Sequence, residues 1–141
     1  MATASAKTTN WKREPDAHDY PAAVDYLSLV MPPDVAKAIG RSLLKSAVEV
    51  YKAKDLLRAS GLPLLPLDNV HVAKDLAKIK KRVKLSPVLL VRGDVARGWP
   101  LIVADGYHRI CASHHVAEDE DVPCRVGELP PSAPRRSRLV V

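Results

Sequence analysis

Leu101-Ile102-Val103-Ala104-Asp105-Gly106-Tyr107-His108-Arg109-Ile110-Cys111-Ala112 decides how this chain folds. Four apolar residues in succession read as a buried strand, and the Asp-Gly pair interrupts it. Gly106 can take the positive φ of a sharp turn. From Tyr107 the chain restarts as a helix with His108 and Arg109 in its first turn. A helix N-terminus offers unpaired N–H groups at the positive end of the macrodipole. Basic side chains there do not help the helix, so their presence points to a bound anion such as phosphate. The competing reading is that both are solvated, or pair with Asp105 and the acidic loop Glu118-Asp119-Glu120-Asp121.

Around this segment the pattern is that of a small α+β domain. Pro87 to Arg92 reads as a continuous apolar strand, Gly93 to Gly98 as a turn and Trp99 to Ala104 as its hairpin partner. The helix after Gly106 runs to about Ala117, and a last strand spans Val122 to Val126. Upstream, Ala47 to Tyr51 alternates as a strand does, and Lys54 to Ala59 forms a helical segment closed by Gly61. Leu62 to Asn69 is apolar but twice interrupted by proline, a packed loop near the site, and Asp68 or Asn69 caps the next helix. From Val70 to Val83, Val72, Leu76, Ile79 and Val83 make one stripe, with Lys74, Lys78, Lys81 and Arg82 opposite.

Two further helices precede this unit. Val24, Leu27 and Val30 fall on one side of the first, which Met31-Pro32-Pro33 ends; Val35, Ala38, Ile39, Leu43 and Leu44 recur in the second. The expected organisation is a flexible arm at 1–18, N-terminal helices at 19–46 packed on the core, the main domain at 47–127 and a flexible tail at 128–141.

With 141 residues there is room for one core. The formal charge of +6 permits contact with phosphate ligands or nucleic acid, although part of it lies in the tails at Lys7, Lys12, Arg13, Arg135, Arg136 and Arg138. No apolar run is long enough to span a bilayer and no secretory signal opens the chain, so the expectation is a cytoplasmic protein without membrane contact. Cys111 and Cys124 are too far apart for a redox pair and too few for a zinc site, and read as reduced, buried residues. His114 and His115 share a helix with His108, but a helix C-terminus accounts for them without a metal.

The order of helix, Leu85-Ser86-Pro87 entry, strand, turn, strand, Asp-Gly-x-His-Arg, helix and Val-Pro-x-x-Val strand resembles the superfamily that joins ParB N-terminal domains and sulfiredoxin. The likeness covers about Val48 to Val126 and is sharpest at Gly106-Tyr107-His108-Arg109. Sulfiredoxins carry Gly-Cys-His-Arg at this place, ParB proteins a Gly-x-Arg-Arg box, and free-serine kinases Asp-Gly-His-His-Arg. The resemblance implies a small mixed sheet with helices packed on it and a nucleotide site. Gly106, His108 and Arg109 carry over as phosphate contacts, with Tyr107 in the same turn, and His71 belongs to a second wall. Asp105 carries over from the kinase-like pattern, where an acid positions Mg²⁺ or a hydroxyl substrate; Asp105 and His108 are then the catalytic candidates.

Departures from the pattern narrow the activity. Tyr107 replaces the reactive cysteine of sulfiredoxin, and a phenol cannot stand in for a thiolate, so sulfinic acid reduction is not expected. Cys111, one helical turn further on, does not restore it. ParB partition proteins continue into a helix-turn-helix domain, whereas about 15 residues follow Val126 here, so centromere binding is not expected of this chain. Three readings remain. One is an ATP- or ADP-dependent phosphotransferase acting on a small-molecule or protein hydroxyl, with Glu49 as a further carboxylate. Another is a non-catalytic nucleotide sensor in which bound nucleotide closes the Leu62 to Asn69 loop. The last is a nucleic-acid-binding protein using the basic face of the Val70 to Val83 helix, although aromatic residues make up only 4% of the chain, which leaves few stacking platforms. ATP, ADP and CTP are not distinguished, and neither is the oligomeric state.

Overall fold

The computed structural model describes residues 9–136. Its elements, in chain order, are α1 (Asp19–Val30), α2 (Pro33–Lys45), β1 (Val48–Lys52), α3 (Ala53–Ser60), α4 (Val70–Lys80), β2 (Val88–Val91), β3 (Ile102–Asp105), α5 (Tyr107–Val116) and β4 (Asp121–Gly127). One 3₁₀ turn, Val95–Arg97, lies between β2 and β3. The fold is α+β. Its sheet has the order β1-β4-β2-β3, with β1 antiparallel to β4, β4 parallel to β2, and β2 antiparallel to β3.

The unbroken apolar run of β2 follows from burial on both faces of the sheet. Val88 and Leu90 enter a core formed with Leu56, Val72, Ile110 and Val122; Leu89 and Val91 enter a second core formed with Leu27, Ile39, Leu43 and Ile102. All four β2 side chains are fully buried, and each contributes about 1.5–3 kcal/mol by leaving water. The sheet therefore sits between α3, α4 and α5 on one side and α1 and α2 on the other. The two N-terminal helices cover the second face of the sheet with Ala23, Leu27, Val35, Ala36, Ile39 and Leu43. They approach closely at Gly40, where a Cβ would come within 2.6 Å of Val24 Cγ2.

Several expected boundaries change. Of the arm expected at 1–18, residues 1–8 lie outside the described residues, while 9–18 pack on the domain. Thr9 is buried and donates its N–H to Glu120 Oε2 at 2.8 Å, and Trp11 forms an isolated parallel bridge with Leu85. Such long-range pairing has no periodic signature in the arm's own sequence. The tail expected from 128 is likewise packed as far as 136; residues 137–141 lie outside the described residues. Arg97 Nη1 donates to the carbonyls of Pro130 and Ala133, and Trp99 Nε1 to that of Pro134. The hairpin strand begins at Ile102 and not at Trp99, because Pro100 has no N–H to give a ladder.

Helix α4 ends at Lys80, and Val83 lies outside the stripe at 46% exposure. Asn69 caps its start, its side chain accepting from the N–H groups of His71 and Val72 at 3.0 and 3.1 Å. The chain leaves α4 through Arg82 at φ +61°, the one positive φ outside glycine among the described residues. That left-handed conformation costs a non-glycine residue roughly 1 kcal/mol. No helix among the described residues is long and apolar enough to cross a membrane.

Candidate functional site

Antiparallel pairing of β2 with β3 slips at its end: Leu90 faces Val103, but Leu89 faces Asp105, which leaves Ala104 as the extra residue of a bulge. A bulge re-aims the side chain beyond it, and here that residue is Asp105. Gly106 then turns the chain at φ +110°. A Cβ there would lie 2.4 Å from Val88 Cγ1 and 2.8 Å from Arg109 Nη2, so both conformation and space demand glycine.

Helix α5 begins without a side-chain cap, and its first helical backbone bond is Ile110 N–H to Gly106 C=O at 3.1 Å. The N–H groups of Tyr107, His108 and Arg109 have no acceptor among the described residues. Beside them is a recess of about 150 Å³ lined by His71, Lys74, Asp75, Asp105, Gly106, His108 and Arg109. The structure thus brings together five of the residues singled out from the sequence, Asp105, Gly106, His108, Arg109 and His71, from β3, α5 and the start of α4.

Lys74 and Asp75 were missed. The amphipathic pattern assigns Lys74 to the outward face and Asp75 carries no motif; their spacing from His71, three and four residues, is the available signal, since it places all three on neighbouring parts of one helix face. Tyr107 does not contribute its side chain. Its hydroxyl points away and donates to Pro63 C=O at 2.5 Å, leaving only its N–H near the turn. His115 Nε2 contacts Leu65 C=O at 2.7 Å. These two α5 contacts tie the Leu62 to Asn69 loop to the helix that starts at the recess. Glu49 lies on β1, at the opposite edge of the sheet from β3, where it accepts from Tyr51 Oη at 2.6 Å. It takes no part in the recess.

Arg109 is engaged within the protein. Its Nη2 is 2.9 Å from Asp105 Oδ2 and 3.7 Å from Asp19 Oδ2, while its Nε is buried without a partner. Asp19 is only 4% exposed; Ser86 Oγ donates to it and in turn accepts the Asp16 N–H at 2.9 Å. The pairing with Asp105 set against the anion reading is therefore present, and Arg109 serves the fold whatever else it binds. Asp16, His18 and Asp19 bring potential metal-ligating atoms within 4.8 Å of one another. Lys12 already holds Asp16 Oδ1 at 2.7 Å, however, and Ser86 holds Asp19, so internal partners account for this cluster.

Burial sets the proton affinities around the recess. It pushes the carboxyls of Asp105 and Asp75 above the ordinary aspartate value, against the pull of Arg109 on each. His108 goes the opposite way: burial, and then the charge of His71, lower its pKa below 6.5. The two imidazoles lie 4.6 Å apart, tilted by 42°. Cys111 and Cys124 are both free and buried, and burial drives the Cys124 thiol up to about 12.

Together these features define a small α+β domain with an uncapped helix N-terminus opening on a recess lined by both cations and carboxylates. Compared with known protein families, curated proteins and solved structures, the chain matches none.

Proposed function

We propose that this domain binds a nucleotide through its terminal phosphates and transfers a phosphoryl group to a hydroxyl. The observation that carries the reading is the set of open N–H groups at the start of α5, beside a recess that also presents His71, Lys74, His108 and Arg109. An anion there gains backbone donors, the helix dipole and the exposed ammonium of Lys74 at once. At roughly 30 Å³ per water, the recess has space for about five waters, the room of a phosphate group and not of a whole nucleotide. Sugar and base would lie outside it. The likeness of Asp105 to Arg109 to the ParB and sulfiredoxin superfamily supports the same ligand, and a cytoplasmic setting suits it.

Asp75 and Asp105 suit Mg²⁺, which commonly takes one or two carboxylates together with phosphate oxygens. Such an ion would neutralise charge on the transferring group. In this reading His108, whose lowered pKa favours the neutral imidazole, takes the proton of the acceptor hydroxyl. Arg109 and Lys74 offset charge on the phosphoryl oxygens.

The test is thermal unfolding with ATP, ADP, CTP and GTP, each with and without Mg²⁺, on the parent chain, Lys74→Ala and His108→Ala. Arg109 is left intact because the fold uses it. A ligand at about 100 times its Kd stabilises by about 2.7 kcal/mol, several degrees for a domain of this size. A selective shift, diminished in both variants, supports the cradle; no shift with any nucleotide overturns it. Phosphorus NMR of the preferred nucleotide with serine-like acceptors then separates transfer from binding alone.

A further inference from the structure

We infer that the C-terminal half of α4 and the turn after it form a docking surface for the phosphate backbone of a nucleic acid duplex. Lys74, Lys78, Lys80, Lys81, Arg82 and Lys84 are all exposed, and between 74 and 84 the one acid is the half-buried Asp75. Among the described residues, none of the six cations forms an ion pair. Lys37, Arg41, Lys45 and Lys54 elsewhere on the surface also form none; what sets the six apart is their crowding into residues 74–84 with a single acid. Lys74, Lys78 and Lys81, spaced four and then three residues apart, stand opposite the buried Val72 and Ile79. Like charges at this spacing repel; Asp75 and the negative end of the α4 dipole offset part of that repulsion, and the exposed ammonium groups stay open to an outside polyanion.

A second, independent observation comes from the backbone. Arg82 takes φ +61° to close α4, where its N–H donates to Ile79 C=O at 3.0 Å and the N–H of Val83 to Lys78 C=O at 2.9 Å. Glycine, or sometimes asparagine, is the residue suited to this position. The fold asks only for the turn, and the strained arginine adds an exposed guanidinium that the turn does not need. Strain kept at a position the fold would fill more cheaply is a mark of a binding role.

The chemistry of the patch selects the partner. Protein interfaces centre on buried aromatic or other large anchors, and residues 70–84 contain no Phe, Tyr or Trp. Single strands favour the same stacking groups. A duplex backbone asks only for cations and is bound without regard to sequence. This surface adjoins the recess through Lys74 but stands on its own observations, independent of nucleotide binding there.

The experiment is fluorescence anisotropy of a labelled mixed-sequence 16-bp DNA duplex with the full chain, as a function of salt. Four neutralised phosphates give a slope of log Kobs against log[salt] near −3.6, roughly a hundredfold loss of affinity between 50 and 200 mM. Lys78→Ala/Lys81→Ala reduces the slope by about two and Arg82→Gly by about one. Arg82→Gly is the discriminating variant, because it weakens binding while its melting temperature stays the same or rises. A flat salt response, variants that bind as the parent does, or equal affinity for poly-glutamate would each overturn the inference.

Discussion

The guanidinium of Arg109 lies 3.7 Å from the carboxylate of Asp19, joining α5 to α1 across the end of the sheet although the two helices belong to hydrophobic cores on opposite faces. Asp19 is buried, and Ser86 Oγ and His18 Nε2 are its other side-chain partners. The same guanidinium reaches Asp105 at 2.9 Å. The residue most suggestive of an anion ligand is thus also the counter-ion of two carboxylates, and its removal tests the fold before it tests binding.

Arg109→Ala lowers stability by about 3 kcal/mol in denaturant unfolding, since breaking a buried pair leaves charge uncompensated. Arg109→Lys recovers part of this, because a single ammonium cannot reproduce the guanidinium's spread of donors. If Arg109→Ala unfolds at the parent's denaturant midpoint, the ion triad is not formed in solution.

Gly106→Ala is more damaging than its single methyl suggests. The added Cβ meets Val88 and Arg109 at a φ of +110°, and strain and overpacking together cost about 3 kcal/mol or more. Circular dichroism melts of Gly106→Ala beside Gly61→Ala separate the two effects, because Gly61 has positive φ but open space around its Cβ position.

Anion affinity at the recess rises as pH falls. His108 has its pKa lowered by burial and by His71, so it takes up its proton at lower pH than a free imidazole does. An anion favours the charged form and binds together with the proton. Without ligand the sign reverses: the unfolded chain takes up this proton first, so His108 subtracts stability as pH falls from 6.5 through its folded pKa. Titration with sulfate, whose charge is constant over pH 5.5–7.5, measures the binding slope, and His108→Ala reduces it.

Asp75→Asn stabilises the free protein at neutral pH. Burial raises the Asp75 pKa above 3.8, so the folded state binds its proton more readily than the unfolded chain does. The resulting penalty is present above the folded pKa and is relieved as pH falls toward 3.8. The advantage of the amide in chemical unfolding shrinks over that window. A variant less stable than the parent at pH 7 would show that attraction to Arg109 and Lys78 outweighs burial.

Neither cysteine reacts with a thiol reagent at pH 8 until the protein unfolds. Both are buried, and burial raises both thiols above the ordinary cysteine value, Cys124 to about 12; the thiolate is the reactive form. Two equivalents of reagent consumed in denaturant, and none in buffer over the same interval, is the expected count.

Local rules made much of this fold legible. Asn69 caps α4, Gly61 closes α3 at φ +72° and Gly106 starts α5, each a position where the backbone selects the residue type. The four-residue apolar run of β2 announced burial on both faces. Less legible was everything that depended on partners far along the chain. Thr9 and Trp11 sit in a polar segment, yet reach Glu120 and Leu85. The proline-rich stretch after Gly127 is held by Arg97 and Trp99. In neither segment does a periodic pattern record the contact, because a short backbone bridge or one or two distant side chains supply it.

The candidate site divides in the same manner. From the sequence alone came the strand, the glycine turn and the helix start, since a positive φ and an uncapped helix depend on residues next to one another. The order of strands, the addition of Lys74 and Asp75 to the recess, the turning away of Tyr107 toward Pro63, and the binding of Arg109 by Asp19 were decided only by the tertiary structure. Those features arise when α1, α4 and α5 are brought together by burying apolar faces, a force that fixes how helices pack but leaves no local mark of which polar groups will meet at their ends.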